Sequence, residues 1–429
     1  MPLDLSSEVV MRWSDCDAKY VPLLKEGGIT AVLLPDRNEV FEADCRKEGL
    51  KVQLLEEVQL LSLDAVDRAS PKATVALTNG LWPGVSRGES QGQDDFTASA
   101  TQAPWVDANG YWVGILRALY RERPALLGYL PDDKAGVKAE ALLPYTSLEL
   151  ALAEAWVNGG NYLLSLEPRY RAKLLSGDAK ALAAWRRLGR TARWLEQHAN
   201  LFRQPTFPAI TVLVEPVEGL AEIVNLLYRQ SVSPALASAS DPPAPDPLRR
   251  HALVAVSIHP PGEEIRRRIL SHAEAGTSVI VDAPGKEAWW HDPRLKLARS
   301  QQDRDFYTLG RGQVVAYREP IADPSEFPFE VIDIVGQKRR AARLWNAPTV
   351  IALATPCPPG ANHGRALLHL INYGSQLEGE VLAAVEGSYT NANLLRPETA
   401  PLALPTARRG TNTEIRIPDL ERVGVVVLG

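Results

Sequence analysis

Seven carboxylates stand where short apolar runs of this 429-residue chain come to an end: Asp15, Asp17, Asp36, Glu56, Glu57, Asp107 and Glu167. Two carboxylates that flank a glycosidic bond can cleave it, one as acid and one as nucleophile or base. Retention needs them about 5–5.5 Å apart and inversion about 6.5–9.5 Å. Any one of the seven can instead cap the helix that follows, because a helix start leaves N–H groups unpaired. Asp107 is the most suggestive. In WVDAN it lies between Trp105 and Asn109, an aromatic and an amide that could stack on a sugar face and bond its hydroxyls. Its alternative is an N-cap for a helix beginning near Tyr111. Glu167 precedes Pro168, which favours extended backbone and holds the carboxylate at the strand's end.

Other side chains would complete such a site. Trp82 opens the longest stretch without pattern, residues 80–103, and could be a sugar platform or a cover for the end of a domain. Tyr129 follows ALLG at another strand end. Asn161 follows Gly159 and Gly160, which fit either close backbone approach or a plain helix C-cap. Asp36 and Glu56 stand at two further strand ends. The candidate reacting pair is Asp107 and Glu167, or else a pair that includes Glu56 or Asp36. Trp82, Trp105, Asn109, Tyr129, Asn161, Asp36 and Glu56 would be binding residues.

The elements that must position these residues form three groups. Up to about residue 200, apolar runs alternate with helix-like runs: VVMRW, TAVLLPD, KVQLLEE, ATVALTN, APWVDANG, ALLGYL and NYLLSL are strand candidates. This alternation predicts parallel α/β architecture, a compact or degenerate (β/α) barrel over residues 1–203. The pattern restarts with AITVLVEP, and residues 204–325 read as a small doubly wound unit. Over residues 326–429, short alternating runs divided by Gly, Pro and Asn predict an antiparallel β-sandwich.

In this order the chain resembles bacterial glycoside hydrolases of the trimerising β-galactosidase type and related uncharacterised glycosidase-like proteins. PWVDANGYWVGILRALYRERPALLGYLPD and LALAEAWVNGGNYLLSLEP look like their late barrel strands, and NGGNYLL is also similar to a run in α-L-fucosidases. AEAGTSVIVDAPG with LGRGQVVAY looks like their amidotransferase-like, flavodoxin-like middle domain. ALLHLINYG with TEIRIPDLERVGVVVLG looks like their closing sandwich. The resemblance implies carbohydrate at the barrel mouth, no cofactor, and a middle domain that serves assembly. A non-catalytic carbohydrate-binding or assembly protein of the same architecture is the other reading it leaves open.

Composition excludes other classes. Charged residues make up 23% and the net charge is −5 with no long basic run, so nucleic acid is not an expected partner. No run approaches 18 apolar residues, so no membrane span is expected. The start lacks a signal-peptide pattern, which suggests a cytoplasmic protein unless a leader has been removed. Cys16, Cys45 and Cys357 show no metal or disulfide spacing, and the seven histidines form no H-x-x-x-H pair. The middle unit has no cysteine, so thiol amidotransfer is not expected, and His259 in SIHPPGEE reads as a surface or packing residue. Gly310-Arg311-Gly312 reads as a hairpin turn. Trp289, Trp290 and His291 are either a patch for a second copy in a homo-oligomer or a core plug.

Overall fold

The computed structural model describes residues 5–70, 73–80, 82–84, 108–128, 143–207, 209–246, 251–283, 288–321, 324–336, 339–359, 364–374 and 379–429. Its first group is β1 (Val10–Arg12), α1 (Val21–Glu26), β2 (Ala31–Leu34), α2 (Glu39–Lys47), β3 (Lys51–Leu54), β4 (Val58–Leu61), β5 (Thr74–Leu77), α3 (Gly110–Leu119), β6 (Leu126–Gly128), α4 (Ser147–Val157), β7 (Asn161–Leu164), α5 (Pro168–Leu175) and α6 (Ala179–Gln197). Asn38 starts α2 by accepting the Phe41 N–H at 3.0 Å, and Asp178 starts α6 by accepting from Lys180 and Ala181. The end of α4 answers for both glycines of NGG. Gly159 takes φ +82°, the left-handed turn of a C-cap, while a Cβ on Gly160 would come within 2.5 Å of the Ala125 carbonyl and of Val113.

The seven strands pair in parallel in the order β3-β2-β1-β7-β6-β5-β4. The two edge strands, β3 and β4, are joined by a 3-10 turn of three residues, Leu55–Glu57. That link spans about 14 Å at most, whereas seven flat strands would set the edges about 29 Å apart. The sheet must therefore curl until its edges nearly meet, as in a (β/α) barrel. Its side chains agree: Val10, Ala31, Leu33, Val58, Ala76, Leu126 and Leu163 form one small inner cluster. Their alternates Met11, Val32, Leu34, Leu77, Leu127 and Leu164 pack outward under the helices. β4 was not anticipated as a separate strand; of the strand and turn expected at 103–110, residues 103–107 lie outside the described residues and Gly110 already opens α3.

The second group comprises β8 (Ile210–Val214), α7 (Glu218–Arg229), β9 (Ala235–Ser238), β10 (Ala252–Ala255), α8 (Glu263–Glu274), β11 (Ser278–Val281), β12 (Lys296–Ser300), β13 (Arg304–Leu309), β14 (Gly312–Tyr317) and α9 (Phe327–Val335). Its sheet runs β12-β13-β14-β11-β10-β8-β9. The strands from β14 to β9 are parallel, and β12 and β13 are antiparallel additions. Gly310 and Arg311 form the expected two-residue hairpin turn between β13 and β14.

The third group is β15 (Ala342–Leu344), β16 (Val350–Pro356), β17 (Ala366–Asn372), β18 (Val381–Glu386), β19 (Ala392–Leu395), β20 (Leu402–Leu404), β21 (Thr406–Arg409), β22 (Asn412–Ile417) and β23 (Val423–Leu428). It forms two antiparallel sheets, β15-β18-β22-β21 and β16-β17-β23-β19-β20, a β-sandwich. Leu368, Leu370, Val381, Ala383, Ile415 and Val426 fill the space between them. The outer face of the five-stranded sheet, with Leu353, Leu367, Ile371 and Val425, joins the large core of the other two groups.

Candidate functional site

The C-terminal ends of β1, β2, β3 and β7 surround a cavity of about 360 Å³. Its lining includes Arg12, Trp13, Ser14, Leu55, Ser165 and Arg171. In parallel barrels this rim is where substrate sites form, because loops leaving the strand ends converge there. Trp13 is 3% exposed and is held by its indole N–H, which donates to the Asp15 carbonyl at 2.9 Å, and by edge contact with Tyr20. Asp15 in turn fixes Arg171: one carboxylate oxygen accepts from Nε at 2.7 Å and from Nη2 at 2.5 Å. The Ser165 hydroxyl is buried against the cavity with no hydrogen-bond partner among the described residues. A ring edge, aliphatic walls, guanidinium groups and an unsatisfied hydroxyl suit a ligand rich in hydroxyls.

The expected site residues divide around this cavity. Glu167 sits at its rim, since Leu166 and Pro168 on either side both line it. One Glu167 oxygen accepts the Tyr170 N–H at 2.9 Å and so caps α5. Asp36 and Glu56 are exposed, just beyond β2 and in the turn after β3. Asp17 caps a 3-10 turn through the Lys19 N–H. Trp105, Asp107 and Tyr129 lie outside the described residues.

Three expected binding residues are placed elsewhere. Trp82 is 4% exposed within the large core, so its ring covers rather than offers a platform. Asn161 is the first residue of β7 and so lies at the N-terminal rim, opposite the cavity. Its amide donates to the Leu5 and Glu8 carbonyls at 2.5 and 2.6 Å and accepts from Trp156 and Tyr162. Asn109 is fully buried and bonded to Glu154.

Glu154 was not anticipated. Every residue of α4 is buried, which its nearly all-apolar sequence could have signalled, and a glutamate in such a helix needs partners. Its carboxylate accepts the Asn109 backbone N–H at 2.7 Å, the Asn109 amide at 2.8 Å and the Tyr373 hydroxyl at 2.9 Å. Burial raises its pKa to about 7, against the pull of those hydrogen bonds. It thus ties the start of α3 to the sandwich. Arg12, Trp13, Ser14, Ser165 and Arg171 were also missed as lining residues. The signal was present: Arg171 stands four residues after Glu167 on a helix that starts at the rim, which brings it back over the mouth.

The middle group carries its own cavity of about 330 Å³, lined by Asp303, Tyr317, Arg318 and Glu330 among others. His259 is a surface residue whose Nδ1 lies 2.6 Å from the Glu215 carboxylate. Trp289 and Trp290 are each 8% exposed, and Trp290 packs on Tyr307 of the same group, so they fill the chain's own core. Among the described residues no group of three His, Cys, Asp or Glu could hold a metal ion. No described helix is long and apolar enough to cross a membrane.

No protein-family model and no curated protein sequence matches the chain. Solved structures do. α-L-fucosidase isoenzyme 2 from Paenibacillus thiaminolyticus matches with TM-score 0.51 at 11% identity, over 95% of this chain and 80% of that one. The exo-β-1,4-mannosidase from Opitutaceae bacterium strain TAV5 gives 0.48 at 11% identity, over 78% and 97% of the two chains. The β-galactosidase from Rahnella sp. R3 gives 0.46 at 11%, over 72% of this chain and 57% of its own length. Likeness at these identities is likeness of fold, and the fold is glycosidase-like: a barrel-like parallel sheet followed, after the middle group, by a β-sandwich.

Proposed function

We propose that the chain is a glycoside hydrolase-like protein that acts on carbohydrate at the C-terminal mouth of its barrel. The observation that carries this reading is the 360 Å³ cavity at that mouth, lined by Trp13, Arg171 and the Ser165 hydroxyl, which has no partner among the described residues. The structural likeness to a fucosidase supports it at the level of architecture. Glu167 at the rim and Asp107, three positions before α3 in the sequence, are the acid and nucleophile candidates, with Asp36 and Glu56 as further carboxylates. In this reading residues 1–203 form the catalytic barrel and 326–429 the sandwich. Residues 204–325 form a flavodoxin-like unit, supported by the parallel order β9-β8-β10-β11-β14.

A panel of aryl glycosides, with calorimetric binding of the matching free sugars, tests the proposal. Hydrolysis of at least one glycoside, lost in Arg171→Met, is the expected result. Saturable sugar binding without hydrolysis points to a non-catalytic carbohydrate-binding protein. If neither hydrolysis nor binding occurs across the panel, the reading fails.

A further inference from the structure

A further cavity, of about 240 Å³, lies where all three groups meet. Its walls include the last turns of α3 and α4, residues 204–206, α7, β9 and β16. The C-terminal ends of α3 and α4 lie by the strand starts, as the Asn161 N–H bonded to the Ala125 carbonyl shows. The cavity is therefore at the end of the barrel opposite the mouth. Among the described residues no carboxylate lines it, while Arg117 and Arg121 both do.

Arg117 is the unusual group. Its guanidinium is half-buried and, among the described residues, donates only to the carbonyls of Asn158, at 2.9 Å, and Arg203, at 3.3 Å. It has no ion pair among the described residues; the groups that act on its charge are the Tyr228 side chain and a second cation, Arg203. Desolvation lowers its pKa most, and Arg203 lowers it further against the opposite pull of Tyr228, so no carboxylate offsets its charge among the described residues. Buried charges are ordinarily paired because neutral carbonyls do not offset the loss of water. Arg121, one turn on, reaches Asp241 at 3.5 Å, a carboxylate already bonded to Arg268 at 3.0 Å. Tyr228 adds to this setting. It is 5% exposed, lines the cavity, and lies close enough to Arg117 for the two groups to interact. Its hydroxyl lies 2.8 Å from where a Cβ on Gly114, another wall residue, would stand.

We propose that this seam binds a small oxyanion, the carboxylate or phosphate group of a metabolite of a few carbons, between Arg117, Arg121 and the Tyr228 hydroxyl. Two guanidinium groups and a neutral hydroxyl are donors only toward such a group, and an anion supplies the missing counter-charge. The volume lies below the range of about 300–1,000 Å³ for larger ligands, so the ligand is small. Because its walls come from all three groups, occupancy favours their docked state by mass action.

The test uses the full chain with inorganic phosphate, glycerol 3-phosphate and lactate as probes, and glycerol as the neutral control, at constant ionic strength. Calorimetry and thermal melting are expected to show saturable binding of one or more anions below about 10 mM and none of glycerol. Response to phosphate or to lactate tells which oxyanion the seam takes. Arg117→Met is expected to weaken binding at least about tenfold, as loss of a charged hydrogen-bonding group does. Should that variant not fold, Ala235→Leu, which fills the cavity from β9 and removes no charge, is expected to abolish binding. Absence of saturable binding by all three anions overturns the proposal. So does an equal response to glycerol, or binding unchanged in the folded variants.

Discussion

The Tyr373 hydroxyl, just past β17 of the sandwich, donates to the Glu154 carboxylate of α4 at 2.9 Å, and both side chains are fully buried. The pair joins the first and third groups through a single hydrogen bond. Tyr373→Phe removes one donor from a buried carboxylate and leaves the ring in place. It is expected to destabilise the fold by about 1–3 kcal/mol, the penalty of an under-bonded buried acceptor. Thermal unfolding checks this, and a midpoint equal to that of the parent would show that Glu154 does not depend on the sandwich.

Two buried groups give the stability opposite slopes with pH. Burial raises the Glu154 pKa from 4.5 to about 7, so between those values the folded state holds a proton that the unfolded chain has released. Its contribution therefore falls as pH rises through that window, by about 3 kcal/mol. Burial lowers the His369 pKa from 6.5 to about 4, so there the unfolded chain holds the extra proton. Its contribution falls as pH drops from 6.5 to 4, again by about 3 kcal/mol. Relative to the parent, Glu154→Gln should gain stability as pH rises from 4.5 to 7. His369→Gln should gain as pH falls from 6.5 to 4. Urea unfolding across pH reads both differences; a pair of flat lines would refute the assignment.

Glu167 offers a separation of roles. A glutamine there keeps a side-chain oxygen for the Tyr170 N–H, so the cap on α5 survives and stability should change by about 0.5 kcal/mol or less. If its carboxylate takes part in hydrolysis, kcat falls by about 100-fold or more on the best aryl glycoside. We expect that fall. An unchanged kcat in Glu167→Gln would reduce the residue to a helix cap.

Local signals made much of this architecture legible. Continuous apolar runs such as Ala31–Leu34 are buried on both faces, as parallel strands require, and Asn38 and Asp178 start helices where their types foretell it. What escaped depends on distant partners. β4 follows β3 after three residues and reads as its tail; only pairing with β5 makes it a strand of its own. Asn161 shows a different limit. Its neighbours were well placed, but a residue that opens a parallel strand lies on the rim away from the mouth, and the strand's direction decides its role. Arg171 and Asp15, 156 positions apart, meet through the β1–β7 pairing, which no local window shows.

Ser231 and Ser233 carry the last prediction. β16 is an edge of its sheet, and an edge leaves N–H groups without partners. The Ser231 hydroxyl oxygen accepts the Ala352 N–H, and the Ser233 oxygen accepts the Ala354 N–H, each at 3.1 Å. Both serines are buried, and both hold positive φ, 52° and 54°, in the left-handed region that non-glycine residues resist. Ser233→Ala loses the acceptor and keeps the backbone strain, so it should destabilise the fold by about 1–3 kcal/mol. Ser233→Gly loses the same acceptor but relieves the strain, so it should be milder by about 1 kcal/mol. Urea midpoints of the two variants decide the matter. An alanine variant as stable as the glycine one would mean that the left-handed backbone here is not strained. One matching the parent would mean that the serine does not protect the edge.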